Sequence, residues 1–157
     1  MYHYNLGLVN SRLDYVDISI KSYLKALEHL DQSSQMDYVY QAKFNLGICY
    51  RRKRMLSESI ECLKAATGMK PDKASAHNNL ALSYFENEFF DEALTHYTKA
   101  IGIDPSSVHY NNRGLANYHF DKLEDAKNDF DMAIEKDPSD ATIYFNRGNV
   151  FLNWKPD

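Results

Sequence analysis

A small residue recurs through this 157-residue chain at Gly7, Gly47, Ala81, Gly114 and Gly148, with steps of 40, 34, 33 and 34 residues. A period of this size marks stacked supersecondary units, each needing a neighbour to bury its apolar face. Such units close no pocket of their own. Function is therefore expected on the surface that the stack presents, and a binding scaffold is expected ahead of a catalyst.

The rest of each unit keeps the same register. From Ala81, Ala93, Tyr97, Ala100 and Pro105 follow at offsets of 12, 16, 19 and 24; from Gly114 these offsets reach Ala126, Phe130, Ala133 and Pro138, and from Gly47 they reach Ser59, Leu63, Ala66 and Pro71. Apolar residues fall at helical spacing in two runs per unit, such as Leu80, Tyr84 and Phe85, then Phe90, Ala93, Leu94, Tyr97 and Ile101. Each run predicts one amphipathic helix. Asp104-Pro105 and Asp137-Pro138 disfavour α geometry at the Asp and so end the second helix, and Ser106 or Ser107 is placed to cap the next. Small residues at Ala81, Ala93 and Ala100 let the paired helices approach closely, with Tyr97 filling the gap beside them.

The expected units are approximately 1–39, 40–73, 74–106 and 107–140, with a half unit at 141–157, forming one array. In the first unit Asp31 stands where Pro is due, and a six-residue extension around Gln32, Ser33, Ser34 and Gln35 lengthens its second helix or the connecting loop. The last unit keeps only its opening helix. Its Tyr144, Phe151, Leu152 and Trp154 lack a following helix to cover them, so the chain reads as a segment of a longer array or as one half of a symmetric dimer.

The combination of Gly or Ala, aromatic, Ala and Pro at these offsets resembles the tetratricopeptide repeat family. The resemblance covers nearly the whole chain and implies an all-α fold, a right-handed α-solenoid of antiparallel helix pairs. Departures include Ser19 and Ser59 in place of Ala, Leu63 in place of an aromatic, and Asn10 and Asn117 in place of Tyr, with Tyr118 placed to supply the missing ring. The glycine usual at the turn between paired helices is replaced by Asp14, Arg54, Glu88 and Asp121, which predicts less relaxed turns.

Two residues before each small residue stands an asparagine: Asn5, Asn45, Asn79, Asn112 and Asn146. Asn is a poor interior helix residue, roughly half a kcal/mol worse than Ala, so five such placements ask for a compensating role. The resemblance implies one, since family members that grip extended peptides bond the peptide backbone through an inner-helix asparagine row. The other reading, hydrogen bonding within the scaffold, stays open. Specificity would come from neighbours on the same inner face, Arg12, Arg52, Glu86, His119 and Asn153, a row running from basic to polar that suits an acidic ligand segment near Arg12 and Arg52.

Chaperone C-terminal tails, which other family members clamp with inner-helix lysines, are not expected. Met1, Gln41, Ser75, Val108 and Thr142 stand one turn before the asparagines, and none offers a charge-assisted bond to a carboxylate.

The net charge of −4 gives no reason to expect nucleic acid, although residues 1–73 hold 11 basic against 8 acidic side chains and residues 74–157 hold 7 against 14. The basic run Arg51 to Arg54 is expected at a helix C-terminus, where the dipole favours cations. Cys49 and Cys62 form no disulfide framework, and the six histidines show no zinc-ligand spacing. Neither a signal peptide nor a run of 18 apolar residues is seen, so a cytoplasmic protein without membrane contact is expected. No phosphate loop, nucleophile motif or paired carboxylates point to catalysis or to a cofactor. The leading expectation is a scaffold binding a protein or peptide segment. The alternatives are a structural spacer in a larger assembly, self-association as a homodimer through the uncovered C-terminal helix, and targeting repeats attached to an enzyme domain outside this sequence.

Overall fold

The computed structural model describes residues 2–12, 15–31 and 34–153, with the side chain of Arg12 excluded. Among them lie nine helices and no strand: α1 (Tyr2–Arg12), α2 (Val16–His29), α3 (Met36–Arg52), α4 (Leu56–Met69), α5 (Ala74–Glu86), α6 (Phe90–Ile103), α7 (Ser107–His119), α8 (Leu123–Lys136) and α9 (Ala141–Asn153). Odd-numbered helices are the first (A) and even-numbered the second (B) of each pair. Helices α1 to α8 each pack most extensively on the partner in an antiparallel pair, then on the neighbouring pair, and α9 packs on α8. The result is an α-solenoid.

The small-residue ratchet works by close approach. A Cβ added to Gly7 would lie 2.7 Å from the Tyr23 ring, one on Gly47 2.6 Å from Leu63 Cγ, and one on Gly114 2.9 Å from the Phe130 ring. Each B helix therefore seats one large side chain directly on the A-helix backbone. Ala93, Ala100, Ala126 and Ala133 flank those side chains and are wholly buried, so adding methylenes at Ala93 or Ala126 would overpack the contact.

Every described A-to-B turn has the same form. Arg54, Glu88 and Asp121 take the left-handed conformation at φ 63, 64 and 58°, at the positions where glycine was missed. The N–H of the following residue returns to the A helix, Met55 to Tyr50 O at 3.0 Å, Phe89 to Tyr84 O at 2.9 Å and Lys122 to Asn117 O at 2.9 Å, which satisfies an orphan carbonyl in a Schellman closure. Asp14 lies outside the described residues.

Helices α6 and α8 end at extended residues before proline, Asp104 and Asp137, as expected. Ser106 does occupy the N-cap position of α7, but it makes no capping bond; its hydroxyl pairs instead with His109 Nδ1 at 2.8 Å. The six-residue extension does not lengthen the B helix, since α2 stops at His29. It forms the connection and an added first turn of α3, where Asp37 pairs with Lys70 at 2.6 Å. Gln32 and Ser33 lie outside the described residues.

Two serines at the helix crossing have acquired polar partners. Ser59 Oγ donates to Gly47 O at 2.8 Å and shares a 2.8 Å hydrogen bond with Ser83, joining α3, α4 and α5, while Ser19 Oγ donates to Tyr15 O at 3.0 Å. Both serines are buried and satisfied.

Candidate functional site: the flank of the A helices

Curvature follows from which helices crowd. The A helices α1 and α3, α3 and α5, and α7 and α9 approach one another across units, and no two B helices come as close. The A flank is the inner one.

The five asparagines occupy equivalent positions on A helices but differ in what they bond. Asn112 donates to Asn78 Oδ1 at 2.9 Å, and Asn146 donates to Asn111 Oδ1 at 2.9 Å, so each reaches the A helix of the preceding unit. Asn45 makes the corresponding contact with the hydroxyl of Tyr4, which also donates to Gln41 Oε1. Unit three breaks the series because Phe44 stands where Asn78 and Asn111 stand later. Asn79 accordingly turns to Ser75 O on its own helix, at 2.9 Å, and Asn5 is exposed. Each bonded amide spends one N–H of two and none of its own carbonyl capacity, which leaves donor and acceptor sites at half-exposed positions.

The neighbouring row is less free than its sequence suggested. Glu86 is held between Arg51 and Arg54, at 2.7 Å each, and is only 22% exposed. Lys53 pairs with Asp17, so the basic run is largely spent on its own fold. Arg52 remains exposed, with Nη1 3.4 Å from Ser11 O, and the side chain of Arg12 lies outside the described residues. His119 joins an aromatic cluster, its ring 5.3 Å from Phe85 and 5.4 Å from Phe120, while Phe90 lies 4.2 Å from Phe120. Asn153 donates to the Tyr118 hydroxyl.

Apart from Leu152, which the sequence already left uncovered, sequence reasoning missed the exposed apolar side chains on this flank. Val108 and Leu115 lie one turn before and after Asn112 and are exposed, as are Phe145 and Leu152 on α9. Their seven-residue spacing within each helix was the available signal.

It also missed a buried ion pair on the other side of α7. Asp129, 3% exposed, accepts from Arg113 Nε and Nη2 at 2.6 to 3.2 Å and from Asn117 at 2.9 Å. This pair floors a cleft of about 330 Å³ reached between α6 and α8, so the polar groups there already satisfy one another.

Nothing in the described residues resembles a reactive centre. Burial raises the thiol pKa of Cys49 and pushes that of Cys62 up to about 11, which keeps both protonated. Burial, with His77 and two lysines nearby, lowers His96 to about 4; its Nδ1 lies 3.0 Å from His77 Nδ1. No group of three or more potential metal ligands occurs among the described residues, and no helix there is long and apolar enough to cross a membrane.

Residues 40–73 and 74–107 each match a family model described as tetratricopeptide repeat. Among curated proteins, the chain is 26% identical over 143 residues to the BBSome complex member BBS4 of Xenopus tropicalis, an alignment covering 87% of this chain and 26% of that protein. The chain thus spans about a quarter of that relative's length. Among solved structures it superposes on MamA with a TM-score of 0.82 at 19% identity, covering 94% of this chain and 84% of that one. It also superposes on the first TPR of Spaghetti (RPAP3) bound to the HSP90 peptide SRMEEVD, with a TM-score of 0.70 at 22% identity, covering 80% and 96%.

Proposed function

Because the chain belongs to the tetratricopeptide repeat family, we propose that residues 1–157 work as one non-catalytic array that holds an extended segment of a protein partner along the A flank. One observation carries the reading. On the inner side of the stack, half-exposed amides at Asn79 and Asn112 lie beside exposed apolar side chains at Val108 and Leu115. Amides supply both halves of a peptide-backbone hydrogen-bond pair, and apolar neighbours supply the area that gives such a contact affinity. The solved RPAP3 repeat shares this fold and carries a peptide, which supports the same use here.

The ligand is a segment that turns acidic side chains toward Arg52 and apolar ones toward α7 and α9. Gln41, Ser75, Val108 and Thr142 bring no cation to the row, so an internal segment fits better than a free C-terminal carboxylate. Two reduced thiols agree with a cytoplasmic setting. A structural spacer is favoured by a different observation, that Asn45, Asn112 and Asn146 already bond within the scaffold.

Selection from a displayed library of unstructured peptides decides between them. The expected ligands are acidic toward one end and apolar toward the other, and Asn79→Ala/Asn112→Ala weakens them at least about tenfold, the loss of roughly 1.4 kcal/mol, with the fold intact by circular dichroism. Ligands that bind the double variant as well as the parent exclude the amide row from the site.

A further inference from the structure

Units three and four meet in an aromatic notch at the A-to-B turn edge of the stack. Phe90, the first residue of α6, lies 4.2 Å from Phe120, the residue that ends α7, and both rings pack on Phe85, at 6.2 and 6.1 Å. Phe89 borders them at 48% exposure, and Leu94 completes the apolar lining of a cavity of about 410 Å³. The left-handed closures at Glu88 and Asp121 fix the backbone on its two sides.

The rim is acidic. Glu88, Asp91 and Glu92 are exposed and line the notch together with one cation, Lys122. Among the described residues none of these four side chains is in an ion pair. The helix dipole accounts for Asp91 and Glu92 in the first turn of α6, but for neither Glu88 nor the rings. Nor does the repeat require them. One unit earlier the places of Phe90 and Phe120 hold Leu56 and Asn87, and those of Glu88 and Asp91 hold Arg54 and Ser57. Both flanking units are in place, so the stacking of α6 on α7 completes this notch and still leaves it open.

We infer that the notch is a docking site for a basic segment of a partner protein, which inserts an arginine between the Phe90 and Phe120 rings and the carboxylates of the rim. Aromatic faces carry negative charge density and attract a cation, and the uncompensated acids add to that field. Charge complementarity therefore selects a basic occupant. A guanidinium stacks flat on a ring while its fork meets a carboxylate through two N–H groups, which the compact ammonium of lysine does not do. The molecule uses the same combination on itself. Arg113 lies over Tyr110 at 5.9 Å and Arg147 over Tyr144 at 5.5 Å, and each guanidinium also donates to an aspartate, Asp129 at 2.6 Å and Asp131 at 2.8 Å. The preferred charge separates this notch from the A-flank groove, whose proposed ligand turns acidic side chains toward Arg52.

The probe is the end-blocked peptide Gly-Arg-Arg-Gly, titrated into the isotope-labelled intact protein and followed by amide chemical shifts. The expected result is saturable movement at residues 88–92 and 119–122, with the matched peptide Gly-Lys-Lys-Gly at least about threefold weaker. Phe120→Asn, which copies the residue found at Asn87, should weaken the arginine peptide by about fivefold or more through loss of the ring face. Glu88→Gly removes a carboxylate and places glycine where φ is 64°, so it should weaken the peptide while the melting temperature equals or exceeds the parent's. Lys122→Ala should tighten binding, since it removes the opposing cation. Absence of saturable shifts overturns the inference, and so does equal binding of the two peptides. Binding that both Phe120→Asn and Glu88→Gly leave unchanged places the peptide elsewhere and overturns it too. Concentration-dependent self-association abolished by Phe120→Asn, without peptide binding, assigns the notch to a second copy and overturns it equally.

Discussion

Arg113 and Asp129 stand where the first three units have uncharged residues. The place of Arg113 is taken by Leu6, Leu46 and Leu80, and that of Asp129 by Ser22, Cys62 and His96. Breaking a buried pair strands its survivor, whereas replacing both partners removes the desolvation cost together with the attraction. Arg113→Leu alone is expected to destabilise by about 3–5 kcal/mol and Arg113→Leu/Asp129→Ser by much less, checked by a double-mutant cycle in urea. Costs that simply add would refute the coupling. His96 gives the molecule a pH dependence of definite sign. Burial and the nearby His77, Lys99 and Lys64 hold the imidazole neutral, lowering it from 6.5 to about 4. Its stabilising share is thus complete above pH 6.5 and is lost as pH falls toward 4, because the unfolded chain takes up the proton first. Melting temperatures between those limits should drop less steeply in His96→Phe, which keeps a ring beside Tyr84 and His77; an identical slope would discount this residue.

At the scale of helices and turns, much could be read from the sequence, because the repeat fixes contacts within one unit. Pro after Asp104 and Asp137 predicted the helix ends, and the missing turn glycines predicted less relaxed turns, which the structure shows as left-handed backbone at Arg54, Glu88 and Asp121. Contacts between units were harder to read. Glu86 is caught by arginines 32 and 35 residues away, and Asn112 by Asn78 34 residues away, through geometry that periodicity alone does not set. Ser106 takes the expected N-cap position without a capping bond because His109, three residues on, claims its hydroxyl. The glycines separate covered from open helix faces by experiment. Gly47→Ala drives a methyl into Leu63 and should cost about 1–3 kcal/mol, while Gly148→Ala meets nothing and should gain about 1 kcal/mol from helix propensity. Thermal melts that move in the same direction for both would contradict the described cover.

Across the whole molecule the buried residues fall into three successive clusters, centred on α1 to α3, on α5 to α7, and on α8 with α9. Stability is then largely nearest-neighbour, and the ends should open before the middle. Lys70, Asp104 and Asp137 join one pair to the next with nearly the same backbone, φ −135, −139 and −142° and ψ 83, 100 and 91°. Matching joints make a helix pair an interchangeable cassette. Duplicating residues 105–137 in tandem should insert one more pair in phase, lengthening the array and raising its melting temperature; a lower midpoint, or added chain without added helix, would show that these joints are not equivalent.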